Sequence, residues 1–223
     1  MEKRDFLKKA GLMAGMWPLM GKVQSLSYNA ANAAFPLLPK PLNQGDLVGI
    51  ISPSSAMANE MEFVFAKEAM EALGLRVLLG SNVSHRRGHL AGTDQERAED
   101  LNRMFSQKDI KAIICLRGGS GAARILPLID YETIKRNPKP LLGYSDITAL
   151  HSAIYSQTGL ITFHGPNGSG SWNSFNVNQF KQMFFNRALL RFENEMKRGD
   201  DLVIKQNRVQ TISPGTAEGV IVG

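Results

Sequence analysis

Between residues 46 and 166 the sequence repeats one pattern: a short apolar run that stops at Gly, Ser or Pro, followed by a segment with helical spacing. The runs are Asp46–Ser52, Arg76–Leu79, Ala112–Leu116, Pro140–Gly143 and Leu160–Phe163. Between them, Met61–Leu73 carries apolar residues at helical intervals and stops at Gly74, a good C-terminal signal. Asp94–Phe105 opens behind Thr93 with Glu96 three residues on, the signature of a capping box. Ala122–Leu128 begins a third helix and Asp146–Gln157 a fourth. Strands alternating with helices at this spacing predict an α/β fold, a parallel sheet with helices on both sides. Ala112–Leu116 is apolar throughout, as a strand covered on both faces must be.

Beyond this region, Gly168–Asn178 is rich in Gly, Ser and Asn and reads as a long loop, and Gln179–Phe185 returns to helix. Val203–Thr211 alternates like a strand, and Glu218–Gly223 starts another. The sequence stops inside that apolar pattern, which reads as a chain cut short.

Charge narrows the partners. Residues 1–34 hold five Lys or Arg against two acids, so half of the net +6 lies there. The rest is spread without a basic block, and no basic–aromatic interleaving occurs, so nucleic acid is not an expected partner. Cys115 is the single cysteine and excludes an intrachain disulfide; inside Ala112–Leu116 it reads as a small core residue. His85, His89, His151 and His164 form no ligand pattern with it, and no metal or cofactor is expected.

Residues 1–34 read as an export signal: a basic start over Lys3–Lys8, an apolar Ala10–Gly21 segment, and Ala31-Asn32-Ala33 as an A-x-A cleavage site. The start is similar to a twin-arginine signal with Lys3 in place of the first arginine. The apolar part is too short to span a bilayer. A periplasmic or cell-surface setting is the expectation.

In a parallel α/β sheet, sites form outside the carboxyl ends of the strands. Those ends are Ser52–Ser55, Arg117–Gly121, Gly143–Asp146 and His164–Pro166. Ser145 falls on a sharp strand-to-helix turn, with the Asp146 amide and a helix N-terminus close by. Such a turn either caps the helix or presents a nucleophile to oriented N–H groups. Arg117-Gly118-Gly119-Ser120-Gly121 lacks a Walker lysine and a full G-x-G-x-x-G, so a phosphate cradle is weakly supported. A second use is an oxyanion hole made by the Gly118 or Gly119 amide with that of Asp146. Arg117 either holds a substrate carboxylate or anchors a loop carbonyl. Ser54, Ser120 and His164 are the remaining candidates for substrate contact. His151 lies in the helix after Ser145, is expected to point away from the turn, and reads as structural.

Four segments resemble the LD-carboxypeptidases, the serine peptidases typified by muramoyl-tetrapeptide carboxypeptidase. They are His89-Leu90-Ala91-Gly92-Thr93-Asp94 with Arg97-Ala98-Glu99-Asp100-Leu101-Asn102, then Ala112–Gly119, Gly143–Leu150, and Thr162-Phe163-His164-Gly165-Pro166. The resemblance runs from about Asp46 to Gly223. It implies a Rossmann-like N-terminal sheet over 42–190, then a linker and the start of a smaller β-rich C-terminal domain over 200–223. It also implies a Ser–His–Glu hydrolase that releases the terminal D-amino acid from the L-centre of a peptidoglycan stem peptide. Ser145 matches the nucleophile, and Asp146 with Gly118 and Gly119 the oxyanion donors. Ser120 stands where the family usually has an aromatic residue. The family's catalytic Glu and His lie in its C-terminal domain, and Glu218 does not match that glutamate, so residues 1–223 alone are expected to be nearly inert. A homodimer is left open. The alternatives are a self-immunity hydrolase of the same family acting on an aminoacyl-nucleotide antibiotic, with Trp172 as its stacking residue, and a non-catalytic peptide-binding module.

Overall fold

A computed structural model describes residues 36–190 and 213–216. The expected export signal over 1–34 and strands at Val203–Thr211 and Glu218–Gly223 lie outside the described residues. Within them the α/β expectation holds. Five parallel strands, β1 (Leu47–Ile51), β2 (Arg76–Leu79), β3 (Ile110–Cys115), β4 (Leu141–Gly143) and β5 (Phe163–His164), form one sheet in the order β2-β1-β3-β4-β5. The chain moves from β1 to β2 on one side and returns to β3 on the other. Loops leaving β1 and β3 therefore diverge and open a crevice above the sheet.

The period-2 geometry of the strands divides the core in two. From β3, Ile113 and Cys115 face one side with Leu101, Met104, Phe105, Ile125 and Leu150. Ala112, Ile114 and the following Leu116 face the other with Ala66, Met70, Phe180 and Phe184. Both layers are helical. On the second face lie α1 (Met61–Ala72) and α5 (Ser174–Phe180), the latter running into a π-helical turn at Lys181–Phe185. On the first lie α2 (Asp94–Ser106), α3 (Tyr131–Arg136) and α4 (Thr148–Thr158). Cys115 is fully buried and its thiol is pushed far above its ordinary pKa by burial.

The capping box on α2 is present in both directions: Glu96 N–H donates to Thr93 Oγ1 at 3.2 Å, and Thr93 N–H donates to Glu96 Oε2 at 2.7 Å. Its other end is closed by Lys139, a buried residue whose Nζ donates to the carbonyls of Met104 (3.0 Å) and Gln107 (2.7 Å). Three boundaries differ from the expectation. Ala122–Leu128 is a 3₁₀ helix containing Pro127, which has no N–H to continue an α-helix. β5 has only two residues, because Gly165-Pro166 ends it and Leu160 instead bridges Leu37 of the lead-in. The polar Gly168–Asn178 stretch is not all loop: Asn173 Oδ1 accepts from Asn176 N–H at 2.9 Å and starts α5 inside it.

Candidate active site

The crevice is walled by four strand-end segments, and each is tied to its neighbours mainly through backbone groups. Ser145 follows β4 after a single residue, Tyr144. It sits at φ +64°, one of two non-glycine residues with positive φ among those described, and begins a 3₁₀ turn, Ser145–Ile147, that leads into α4. A left-handed L-residue is strained by about 1–2 kcal/mol. Here the neighbours hold it. Tyr144 N–H donates to Oδ1 of buried Asn167 at 3.1 Å, behind the bend. The Gly143 carbonyl, also behind it, accepts from Nε2 of His151 at 2.9 Å.

His151 therefore reaches the base of the turn, contrary to the expectation that it points away, yet its role is structural. Burial is the largest influence on its ring and holds its pKa below the ordinary value; the hydrogen bond to Gly143 opposes this. With Nε2–H donating, the neutral tautomer leaves Nδ1 buried and unpartnered, so a second proton would have no acceptor.

Gly118 packs against the bend. A methyl group placed on it would lie 2.9 Å from the Tyr144 carbonyl oxygen, 3.1 Å from Ser145 Cβ and 3.2 Å from the Asp146 nitrogen. Only glycine allows so close an approach of the β3 loop to the Ser145–Asp146 peptide. Gly119, at φ +120°, is packed on Ser55 in the same way. Ser145, Gly118, Gly119 and Arg117 then share a cavity of about 390 Å³ with Glu62, Tyr144, Asn167, Ser169 and Gly170. A second cavity of about 320 Å³ lies across Tyr144 and includes His164, Ser171 and Asn176.

The proposed substrate contacts separate. Arg117 lines the Ser145 cavity while its Nη1 donates to the Ala56 carbonyl at 3.3 Å, so loop anchoring and a free guanidinium edge coexist. His164 is exposed in the adjoining cavity, its ring edge-on to Tyr144 at 6.2 Å. Ser120 is exposed outside both cavities, and its N–H donates to Ser55 Oγ at 3.0 Å. Ser54 is a correction. It is 0% exposed and its hydroxyl is used up inside the protein, on Asp146 Oδ2 at 2.5 Å, so it has no face toward a ligand. Trp172 is likewise engaged: its Nε1–H donates to the Gly168 carbonyl at 3.0 Å and its ring packs edge-on against Phe180. Among the described residues none of the four histidines is hydrogen-bonded to Ser145 Oγ, and no group of three His, Cys, Asp or Glu side chains is placed to hold a metal.

Sequence reasoning missed three holders of this site. Asn167 looks in sequence like a loop residue and the Asp146 carboxylate like the exposed start of a helix; only their hydrogen bonds to Tyr144, Ser54 and Ala122 show otherwise. Arg97, inside the recognised motif, is buried with Nη1 on the carbonyls of Pro53 (2.7 Å) and Gly121 (2.9 Å). A buried arginine at a helix position otherwise facing the core was the available signal.

Comparison with known proteins agrees with this arrangement. The sequence profile of the LD-carboxypeptidase N-terminal domain matches residues 48–165. A Bacillus subtilis protein named "probable murein peptide carboxypeptidase" is 40% identical over 190 residues, 83% of this chain and 56% of the relative. The microcin C7 self-immunity protein MccF of Escherichia coli is 38% identical over 133 residues, 59% of this chain and 39% of MccF. The crystal structure of an MccF-like protein from Bacillus anthracis superposes with a TM-score of 0.63 at 32% identity, covering 66% of this chain and 47% of that one. The chain spans about half the length of these relatives. The match covers every strand end that walls the crevice, and on that ground the chain belongs to the LD-carboxypeptidase family.

Proposed function

We propose that Ser145 is the nucleophile of a serine carboxypeptidase that cleaves the L,D-peptide bond releasing the terminal D-amino acid from peptidoglycan stem tetrapeptides. The observation that carries this reading is the strained, exposed Ser145 at φ +64° with Gly118 packed against the Asp146 amide beside it. A helix cap needs no such strain, and a binding module needs no hydroxyl there. In the reaction Ser145 Oγ bonds to the scissile carbonyl carbon and gives its proton to a histidine. The carbonyl oxygen takes up the negative charge and is received by the N–H of Asp146 and of Gly118 or Gly119. The amide C–N bond then breaks, the histidine protonates the departing D-amino acid, and water hydrolyses the ester. Arg117 on the cavity wall offers a cation to the terminal carboxylate.

The histidine and its glutamate partner are assigned to chain beyond residue 223, in the β-rich domain whose start is expected over 200–223. Residues 1–223 alone then retain only oxyanion and binding assistance and are close to inert. Residues 1–34 act as the export signal that takes the enzyme to the periplasm, where its substrate lies.

The test is incubation of the full-length protein with a stem tetrapeptide and with a fluorophosphonate probe. Release of the terminal D-amino acid and an adduct on Ser145, both lost in Ser145→Ala, are expected. An unmodified Ser145 and an intact tetrapeptide would sink the reading. The likeness to MccF, of which a structure in complex with aspartyl sulfamoyl adenosine is known, supports a second substrate on the same machinery, an aminoacyl-nucleotide. Cleavage of an aminoacyl-nucleotide with the tetrapeptide left intact would favour it, although the engaged indole of Trp172 does not.

A further inference from the structure

The segment Gly92–Asn102 belongs to the recognised motif, yet none of its side chains lines either cavity, and the reaction proposed above uses none of them. Its most unusual member is Arg97. A buried guanidinium is a costly way to fill a helix position that faces the core, because several N–H groups must find partners out of water. The Arg97 side chain is 0% exposed and its Nε finds no partner at all. What it gains is specific. Nη1 donates to Pro53 in the loop after β1 and to Gly121 in the loop after β3, the two loops that diverge at the crevice. Nη2 pairs with Asp94 on the first turn of the same helix. Asp94 is held in turn by the bidentate Arg124, with Nε at 2.9 Å from Oδ1 and Nη2 at 2.7 Å from Oδ2. The fork is thus oriented from behind by a carboxylate that is itself oriented.

Pro53 and Gly121 are next to the residues that meet the bend at Ser145. Ser54 donates to Asp146, and Ala122 N–H donates to the same Asp146 Oδ2 at 2.8 Å. One nitrogen of Arg97 therefore sets the span between two loops, and one oxygen of Asp146 receives both loops one residue further on. We propose that Arg97 is a positioning residue for the nucleophile, fixing the distance between the β1 and β3 loops so that Gly118 and the Asp146 amide converge over Ser145. This rests on the assignment of Ser145 as nucleophile. Geometry of this kind acts on the chemical step and not on binding, and a displacement of about 1 Å is worth on the order of 100-fold in rate.

The test is the kinetics of phosphonylation of Ser145 by a fluorophosphonate in the full-length protein, separated into the maximal rate and the half-saturating probe concentration. Arg97→Lys keeps the charge but cannot fork between two carbonyls and a carboxylate. A fall of about 10- to 100-fold in maximal rate, with half-saturation unchanged, is expected. Arg103→Met is the control: it removes a half-exposed arginine from the same helix, paired with Asp100 at 3.5 Å, and should leave the rate alone. A wild-type maximal rate in a folded Arg97→Lys protein overturns the proposal, as does an equal fall in the control. If Arg97→Lys does not fold, exposed Arg124→Gln replaces it; a drop of about 2- to 5-fold supports the proposal and an unchanged rate overturns it. Failure of the wild-type protein to label at all would count against the nucleophile itself and is read separately.

Discussion

The hydroxyl of Ser54 donates to the carboxylate of Asp146 at 2.5 Å, joining two residues 92 positions apart in sequence. The same carboxylate oxygen accepts from the Ala122 N–H, so one atom unites the ends of β1, β3 and β4. Ser54→Ala leaves that carboxylate, already partly out of water, with one donor fewer. A loss of about 1–3 kcal/mol in denaturant unfolding is expected, together with a lower kcat and an unchanged KM. A raised KM at constant kcat would return Ser54 to the role of substrate contact.

Strain at Ser145 has its own signature. Ser145→Gly and Ser145→Ala both remove the hydroxyl, but only glycine adopts φ +64° freely. The glycine variant should exceed the alanine variant in stability by about 1 kcal/mol. Equal midpoints in parallel urea titrations would mean that the bend relaxes in solution.

Gly118→Ala places a methyl group against the Tyr144 carbonyl and the Asp146 nitrogen. The bend must shift by a few tenths of an ångström while the core beneath stays intact. Phosphonylation of Ser145 by the fluorophosphonate should slow by about 10- to 100-fold with little change in melting temperature. Unaltered labelling would show that the β3 loop takes no part in the chemistry.

His151 makes the bend sensitive to acid. Its folded pKa is depressed by burial, so the unfolded chain, near 6.5, takes up a proton first. Stability contributed by the neutral ring is present above that value and declines as pH falls toward the folded pKa. The neighbouring His164 ring, edge-on at 6.3 Å, acts on His151 in the same direction as burial. His151→Gln keeps a donor for Gly143 but cannot titrate, so the stability difference between pH 7.5 and 5.5 should shrink relative to wild type. Equal differences in the two proteins would remove His151 from the account.

Lys139 works in the opposite range. Burial lowers its pKa from 10.5 to about 8, and the neutral amine still has two N–H groups for the two carbonyls it caps. Between pH 8 and 10.5 the unfolded chain holds the proton that the folded one sheds, so this residue's contribution to stability rises with pH. Cys115 acts against it above about pH 9, because only the unfolded thiol ionises there. Comparison of wild type with Lys139→Met cancels the cysteine. A smaller rise in the variant is expected, and identical profiles would refute the assignment.

What the sequence made legible was whatever repeats or caps locally. The apolar run Ala112–Leu116, the Thr93–Glu96 box and the Gly74 stop all act within a few residues, and each appears where periodicity and capping rules put it. Ser145 was visible because a strand running into a helix leaves little choice of bend. Residues whose meaning depends on a partner far along the chain were not legible. Ser54 reads in sequence as a ligand contact because nothing nearby says that Asp146 will accept its hydrogen bond. Asn173 was hidden inside a polar run, since Asn and Ser serve caps and loops equally well.

Part of the crevice is braced on main-chain atoms: the carbonyls of Pro53, Gly121 and Gly143 take the donors of Arg97 and His151. Peptide carbonyls are supplied by every residue type, so at Pro53, Gly121 and Gly143 the bracing does not depend on the side chain that the loop carries. Rim residues such as Ser120, Ser171 and Asn176 can be exchanged without loosening the foundation. A lineage could thereby trade one acyl substrate for another by redecorating the edge, while the hydroxyl beneath stays aimed as before.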